Sequence, residues 1–434
     1  MLVCAIIALL TILLMVGSVL IKPYIKIGKS EVGLYWLICL FGAILMILSG
    51  CISLDAVFKG ITANTSVNPL KILTLFLSMT LLSVYLGDAG FFDYIADSVF
   101  LKSKGGGLKL FLILYAVVSV LTIFTSNDII ILTFTPPICI FAKKAKISPL
   151  PFLFGEFIAA NTWSMALIVG NPTNIYLAQS AGINFAEYLS VMALPAIASG
   201  LTSLGVLLLI FRKQLARPIC TEEKTLSHNV QISKVPMMVA ICHLALGIVL
   251  LAISDVLQIE MYLICLVLAL SLTAFDLVYD LITMHTVSPV LKSLKKEPYE
   301  LIPFILSMFV IVLALKQNGI TDILAKALTS NSKVDGLTFG FVSTISANLL
   351  NNIPMSVLFE KIIFSDNLLA VYATIIGSNV GAFLTPVGAL AGIMWSKILK
   401  KYGIDMPFKK FVIYGVIVVV PTLFASVGVL LLII

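Results

Sequence analysis

The chain has 434 residues, of which 60% are hydrophobic and 11% are charged, and its mean hydropathy is +1.12. Soluble domains average about 45–50% apolar and about 25% charged residues, so this composition excludes a water-soluble globule. A net charge of +7 would suggest nucleic-acid binding in a soluble protein, but here the positions of the charges along an apolar chain explain it better. We therefore expect a multi-pass protein of the inner or plasma membrane that binds no nucleic acid.

Apolar runs suited to crossing a membrane recur along the whole chain. A crossing helix needs about 20 apolar residues, and about ten or eleven such segments can be drawn. Clear examples are residues 2–21, 34–51, 191–210, 238–253 and 411–434. The first run lacks a basic region and a small-residue cleavage site, so it predicts a retained span with the N-terminus outside the cell.

The basic residues support this orientation. Most of the 28 lysine and arginine residues then fall on the cytoplasmic side, beginning with Lys22, Lys26 and Lys29, as the positive-inside rule expects. The predicted outer side holds Lys59, Lys71, Lys316, Lys326, Lys333 and Lys361.

One sequence pattern occurs twice. Leu77-Ser78-Met79, with Gly90, Asp93 and Ala96, recurs at constant spacing as Leu306-Ser307-Met308, with Gly319, Asp322 and Ala325. The repeat predicts an N-terminal half at 1–211 and a C-terminal half at 236–434, joined by a cytoplasmic linker at 212–235. In the predicted topology the two copies cross the membrane in opposite directions, and such inverted repeats are typical of secondary transporters.

Four polar stretches interrupt the apolar segments. Residues 125–128 and 351–354 lie between arms of about 15 residues, shorter than a comfortable span, and predict re-entrant hairpins. Residues 170–174, and 377–381 followed by 385–388, predict two broken helices. Broken backbone at membrane depth is tolerated only where protein or a water-filled cavity supplies hydrogen-bond partners.

We expect these four stretches to form one binding site. Exposed N–H groups at helix ends favour an anion or a polar oxygen, and Asn, Ser and Thr oxygens favour a hard cation such as Na⁺. The alternative is that these residues only cap the turns. The candidate solute- and ion-binding residues are Ser126, Asn127, Asp128, Gly170, Asn171, Thr173, Asn174, Asn351, Asn352, Gly377, Ser378, Asn379 and Thr385.

Two acidic residues lie in apolar surroundings, where carboxylates are costly and by default functional. Asp128, at the first hairpin tip, is the candidate for carrying a coupling proton. Glu156 has two interpretations, a proton carrier or a residue near the cytoplasmic helix end whose carboxylate extends to the surface, and we expect the second.

The sequence predicts no enzyme and no cofactor other than Na⁺ as a coupling ion. His, Cys and acidic residues are not clustered as a metal centre or a catalytic site would require, and the cysteines show no CxxC spacing. No phosphate-binding loop of the GxxxxGK[ST] type occurs, so ATP-driven transport would need a separate subunit.

At these residues the chain resembles the ion transporter superfamily, and within it the arsenite permease and sodium/proton antiporter (ArsB/NhaD-like) group. The resemblance lies in Asn127-Asp128 leading to Thr135-Pro136, in 168–175, in Asn351-Asn352-Ile353-Pro354 and in 377–388. It implies an all-α membrane fold of two inverted repeats, each with a re-entrant hairpin and a discontinuous helix. In the arsenite pumps the positions resembling Asn161 and Asn379 carry aspartate, so amides replace titratable groups here.

We therefore expect a secondary active transporter of a small inorganic anion or arsenite-like solute, coupled to a proton or sodium gradient by antiport or symport. A sodium-coupled carboxylate symporter and a Na⁺/H⁺ antiporter of the same fold are the alternatives. A membrane enzyme or a passive channel would not need two repeats with broken helices. The expected partners are the small solute, membrane lipid and a second copy of the chain in a homodimer.

Overall fold

The computed structural model describes residues 1–21, 24–27, 30–64, 68–103, 106–219, 232–330, 333–363 and 366–434. Within these ranges the chain is almost entirely helical, and one small antiparallel hairpin joins β1 (Tyr24–Ile27) to β2 (Ser30–Gly33). The all-α class predicted from composition is confirmed. The predicted linker at 212–235 includes residues 220–231, which lie outside the described residues.

The helices fall before and after the predicted linker. Those before it are α1 (Leu2–Ile21), α2 (Leu34–Leu48), α3 (Leu54–Thr62), α4 (Pro69–Asp88), α5 (Phe91–Lys102), α6 (Gly107–Phe124), α7 (Asn127–Lys144), α8 (Leu150–Trp163), α9 (Pro172–Ser180) and α10 (Phe185–Leu215). Those after it are α11 (Lys234–Ala252), α12 (Ser254–Leu257), α13 (Met261–Met284), α14 (Ser288–Leu294), α15 (Leu301–Gln317), α16 (Ile320–Leu328), α17 (Val334–Leu350), α18 (Asn352–Ile362), α19 (Leu368–Gly381), α20 (Leu390–Lys401) and α21 (Phe408–Ile433).

Local sequence signals explain where several helices begin. Asn68 caps α4 by accepting hydrogen bonds from the backbone N–H groups of residues 70 and 71, and Pro69 occupies the first helical position, where its missing N–H costs nothing. Asn184 and Glu187 form a reciprocal capping box at the start of α10. These caps fix the two helices that open and close the N-terminal repeat.

Seven of the described helices are long and apolar enough to cross a membrane: α1, α4, α6, α10, α11, α13 and α21. An eighth crossing is obtained if α15 and α16, which meet at 82°, form one bent span. Adding the short apolar helix α2 and the broken helices α8–α9 and α19–α20 gives eleven segments, in agreement with the predicted count of about ten or eleven. The chain is therefore a multi-pass membrane protein.

The two predicted repeat copies contain the same succession of elements. Helices α4 to α10 form one series and α15 to α21 form the other, each with a helix, a sharp turn, a helical hairpin, a broken helix and a final long helix. The sharp turns use Gly90 and Gly319, both with positive φ (87° and 73°), a conformation that glycine adopts without strain. The sequence repeat thus corresponds to a structural repeat, and its inversion across the membrane stays a prediction.

The two series pack against each other reciprocally. The second hairpin arm α7 contacts α20, the second half of the other broken helix, and its counterpart α18 contacts α9 in the same way. The last helices of the two series, α10 and α21, form one of the most extensive contacts in the molecule. Each hairpin is thereby seated on the broken helix of the other half, which brings all four polar stretches into one region.

The first hairpin differs from its prediction. Its arms α6 and α7 each have 18 residues, longer than expected, and α6 alone could cross a membrane. The second hairpin has arms of 17 and 11 residues. Arm length therefore does not distinguish a re-entrant hairpin from a pair of spans in the first half, and the short arm α18 is the better indication in the second.

Candidate functional site

The break in the first discontinuous helix begins earlier in the sequence than predicted. Helix α8 ends at Trp163 and two 3-10 turns, Ser164–Ala166 and Ile168–Gly170, precede α9. Asn171 caps α9 by accepting a hydrogen bond from the Thr173 N–H at 3.2 Å. Thr173 and Asn174, expected in the break, therefore lie in the first turn of an intact helix.

Gly170 is required by a close approach of backbone. A Cβ at this position would overlap the carbonyl group of Ser164, six residues earlier. The same Ser164 carbonyl accepts a hydrogen bond from Asn174 Nδ2 at 2.9 Å, and the Leu167 carbonyl accepts a second one at 3.1 Å. Glycine and an amide side chain together thus hold the unwound segment in shape, because its carbonyls cannot be paired within a helix.

The second broken helix corrects the prediction for residues 377–381. Helix α19 remains helical through Gly381, and the break occupies residues 382–389. Gly377 and Gly381 instead let α19 pack closely on α17, where a Cβ would meet Ser343 and the Thr344 backbone. Small residues spaced by four are a common means of close helix packing in membranes. Gly377 therefore has a packing role, whereas Ser378 and Asn379 project from the last turns of an intact helix.

Asn379 joins the first break to the end of α19, just before the second break. Its Oδ1 accepts hydrogen bonds from Asn171 Nδ2 and from the Ser164 hydroxyl, both at 3.0 Å, and its Nδ2 donates to Asn174 Oδ1 at 2.7 Å. Beside it, the hydroxyls of Thr173 and Ser378 are 2.9 Å apart. All six side chains are fully or almost fully buried. We call this set of Ser164, Asn171, Thr173, Asn174, Ser378 and Asn379 the amide network.

The first hairpin tip reaches the network through α8. Ser126 caps α7, and Asn127 Nδ2 donates to Asn161 Oδ1 at 3.1 Å. Asn161 lies one turn before Ser164, whose hydroxyl is 2.9 Å from the Asn161 carbonyl. The other amide atom, Asn127 Oδ1, is buried without a hydrogen-bond partner among the described residues. A buried acceptor of this kind is available to a ligand.

The second hairpin tip has the same property. Asn351 adopts φ 73°, caps α18 and donates from Nδ2 to the Val387 carbonyl at 3.0 Å. The Asn352 N–H donates to the Gly388 carbonyl at 3.1 Å, while Asn352 Oδ1 is buried without a partner in the described part of the chain. Thr385 donates to Asn348 Oδ1 at 2.7 Å and so braces the break against the hairpin. Each tip therefore presents one unpaired amide oxygen from the first residue of its second arm.

The two acidic candidates occupy different surroundings. Asp128 is half-buried in the first turn of α7, where the helix dipole favours a negative charge, and it has no hydrogen-bond or ion-pair partner within the described ranges. Glu156 is fully buried, and the Thr135 hydroxyl lies 3.1 and 3.3 Å from its two carboxylate oxygens. The expectation that Glu156 extends to the surface is therefore wrong, because α7 packs against α8 and covers this side chain.

The structure thus brings the predicted residues into two connected groups. The amide network contains five of them, and Asn351, Asn352 and Thr385 surround the second break. Asn161, Ser164 and Asn348 were not among the predicted site residues, although each lies within four residues of a break or tip. Their role depends on pairing across the fold. Asn161, through the aspartate of the arsenite pumps, and Asn348, as part of the polar interruption that includes residues 351–354, had a signal in the sequence, and Ser164 had none.

Comparisons with known proteins agree with this architecture. A family model described as citrate transporter matches residues 30–370. An arsenical pump membrane protein of Escherichia coli is 25% identical and covers 97% of this chain and 99% of its own length. A putative arsenical pump membrane protein of Bacillus subtilis (strain 168) is 24% identical, with 87% and 90% covered. The crystal structure of the Alcanivorax borkumensis YdaH transporter matches with a TM-score of 0.54 at 15% identity over 99% of this chain and 97% of that one, which shows a shared fold.

We predict that Gly170→Ala disrupts the first break, because its methyl group would overlap the Ser164 backbone. The variant should lower the thermal unfolding temperature of the detergent-purified protein and abolish transport. Gly205→Ala is the matched control, since a Cβ at Gly205, in α10, meets nothing within 4 Å. Equal unfolding temperatures for the two variants would contradict this account of Gly170.

We also predict that Asn379→Ala abolishes transport, because it removes the bridge between the first break and α19. Each buried polar group left unpaired should cost roughly 1–3 kcal/mol, which thermal unfolding in detergent would detect. Asn184→Ala, at the cap of α10, serves as the control and should cost about 1 kcal/mol while transport continues. Transport at the wild-type rate in Asn379→Ala would show that the bridge is dispensable.

Proposed function

The chain belongs to the citrate transporter family and is a membrane transporter, and from this premise we propose that it carries a small, oxygen-rich solute of the arsenite type, or another small inorganic anion, by secondary active transport. The observation that supports this choice is the amide network. Its hydrogen-bonding atoms are amides and hydroxyls, and none of its members carries a formal charge. A compact solute bearing several hydroxyl or oxo groups can exchange hydrogen bonds with such groups one for one.

The absence of charged side chains from the amide network favours a solute of low charge. Arginine, the usual partner of carboxylates and phosphates, occurs in the sequence only as Arg212 and Arg217. Both lie at the end of α10 or just beyond it, outside the amide network. Arsenous acid is uncharged at neutral pH and presents three hydroxyl groups, so it needs no cationic partner. The arsenical pump proteins among the relatives are consistent with this choice.

We propose Na⁺ at the two hairpin tips as the coupling ion. Asn127 Oδ1 and Asn352 Oδ1 are buried acceptors without partners in the described chain, and they occupy equivalent positions in the two repeats. An amide oxygen does not take up a proton near neutral pH, but it is a suitable ligand for a hard cation. Backbone carbonyls freed at the adjacent breaks would supply further oxygen ligands, as in other discontinuous-helix transporters.

Proton coupling through Asp128 is the competing proposal. Its carboxylate directly follows Asn127 and is unpaired within the described residues, so it could bind a proton in one state and release it in another. Glu156, although buried, is already engaged by Thr135. Asp128 is therefore the residue whose neutralisation separates the two coupling ions.

A sodium-coupled carboxylate symporter is the second candidate function. It is favoured by the description of the matching family model and by the same unpaired tip oxygens, because bound Na⁺ would supply the positive charge that the network lacks. A Na⁺/H⁺ antiporter would require more acidic groups at the tips than Asp128. Under either function we propose a plasma-membrane location with the N-terminus outside and assembly as a homodimer.

Solute flux in proteoliposomes under separately imposed Na⁺ and pH gradients tests the proposal. We expect arsenite flux driven by the Na⁺ gradient, with no citrate flux under the same conditions. Citrate uptake driven by Na⁺ without any metalloid flux would overturn the solute choice in favour of the second candidate. Asn127→Ala and Asn352→Ala should each weaken the apparent Na⁺ affinity by about tenfold, while Asn184→Ala leaves it unchanged.

Asp128→Asn decides between the two ions. If Na⁺ is the coupling ion, the variant should keep Na⁺-driven flux, because an amide removes only the titratable group and preserves size and shape. Loss of Na⁺-independent, pH-driven flux in this variant, with normal expression and unfolding temperature, would instead assign the coupling to a proton on Asp128. If the pH dependence of flux is unchanged in this variant, Asp128 does not carry a coupling proton.

A further inference from the structure

A second polar cavity lies apart from the amide network. It has a volume of about 130 Å³ and lies between α4, α13, α14 and the segment that leads into α11. Seven of its lining residues carry a side-chain oxygen, and none of the described lining residues is basic; the seven are Tyr85, Asp88, Ser233, Asp276, Tyr279, Asp280 and Ser293. The cavity therefore presents three carboxylates and no cationic side chain.

One of the three carboxylates is already compensated. Asp88, at the end of α4, accepts a hydrogen bond from the Ser293 hydroxyl and forms an ion pair with Lys296. Lys296 does not line this cavity. It lines a larger cavity of about 470 Å³ that runs along α7. Asp88 lines both cavities, so it marks the partition between them.

Asp276 is not compensated. The residue is only 8% exposed, and its Oδ1 is buried without a hydrogen-bond partner among the described residues. Asp280, one helical turn later and also 8% exposed, lines the same cavity. A buried carboxylate without a partner is costly, and a second acid on the same face raises that cost further. Two acids facing an oxygen-lined cavity indicate that a cation belongs there.

We propose that this cavity binds a hydrated divalent cation of the Mg²⁺ type, held by Asp276 and Asp280. Mg²⁺ prefers oxygen ligands, usually binds through one or two carboxylates and keeps several of its waters. A volume of about 130 Å³ has room for such waters, since each occupies about 30 Å³ in the liquid. Two neighbouring carboxylates, of which Asp276 has an unpaired buried oxygen, match a divalent ion better than Na⁺.

An ion at this position would connect the two halves of the chain. Helix α4 opens the first repeat, and α13 and α14 directly precede the second. The backbone already joins these regions where the Ser233 N–H donates to the Ala89 carbonyl at 3.1 Å. A cation bound to Asp276 and Asp280 beside Asp88 would strengthen this junction. Because the site lies apart from the amide network, the proposal does not depend on which solute is transported.

Thermal unfolding of the full-length protein in detergent tests the site. MgCl₂ should raise the unfolding temperature in a concentration-dependent manner, relative to choline chloride of equal ionic strength. Asp276→Asn and Asp276→Asn/Asp280→Asn should lose this shift, whereas Asp405→Asn, an exposed acid elsewhere, should retain it. An equal shift in all variants, or the same shift with NaCl, would overturn the proposal.

Mn²⁺ provides a second measurement that does not rely on stability. Its electron paramagnetic resonance signal falls on binding, so titration of the wild-type protein should reveal a site that Mg²⁺ competes for. Asp280→Asn should weaken Mn²⁺ binding by about tenfold or more. Absence of Mn²⁺ binding in the wild type, or undiminished binding in Asp280→Asn, would contradict the proposed site. This test remains valid if Asp276→Asn fails to fold.

Discussion

Within the amide network, one amide side chain makes most of the hydrogen bonds that join the two halves of this transporter. Asn379 projects from an intact turn of α19 and uses both ends of its side chain, accepting from Ser164 and Asn171 and donating to Asn174. Buried polar groups must be paired, and the 3-10 turns of the first break present such groups. Relative movement of the breaks must therefore exchange these hydrogen bonds for others. A solute rich in hydroxyl groups can provide the replacements, which links occupancy of the site to its conformation.

The reciprocal packing of the repeats explains why the site needs both halves. Helix α7 is seated on α20, and α18 is seated on α9, so neither hairpin tip is positioned by its own repeat alone. The unpaired oxygens of Asn127 and Asn352 then occupy equivalent places. In the proposed function, these two oxygens are the ligands that the hairpin tips offer to the coupling ion.

Much of this organisation is predictable from the sequence. The predictions that the structure corrected were wrong for physical reasons. Gly90 and Gly319 were found as members of the internal repeat, whereas the left-handed turns that they form are seen only in the structure. The polar stretches were found because apolar runs make them conspicuous. The spacing of Gly377 and Gly381 fits both a helix break and close packing of two helices, and only the three-dimensional neighbour, α17, separates these causes. The burial of Glu156 depends likewise on Thr135, distant in sequence but adjacent in the fold. Ser164 was missed because its partner lies in the other half.

The separation of charge from the amide network bears on how transport is energised. A neutral network can be filled and emptied without leaving an uncompensated charge in a medium of low dielectric constant, whereas an isolated arginine or carboxylate could not. The fully buried acid on α8, Glu156, is held by a threonine, and Asp276 faces a different cavity. Charge that changes between states must then arrive with the transported species or reside at the hairpin tips. The proposed Na⁺ at Asn127 and Asn352 and the competing proton at Asp128 both satisfy this constraint, and both leave recognition of the solute to the amides.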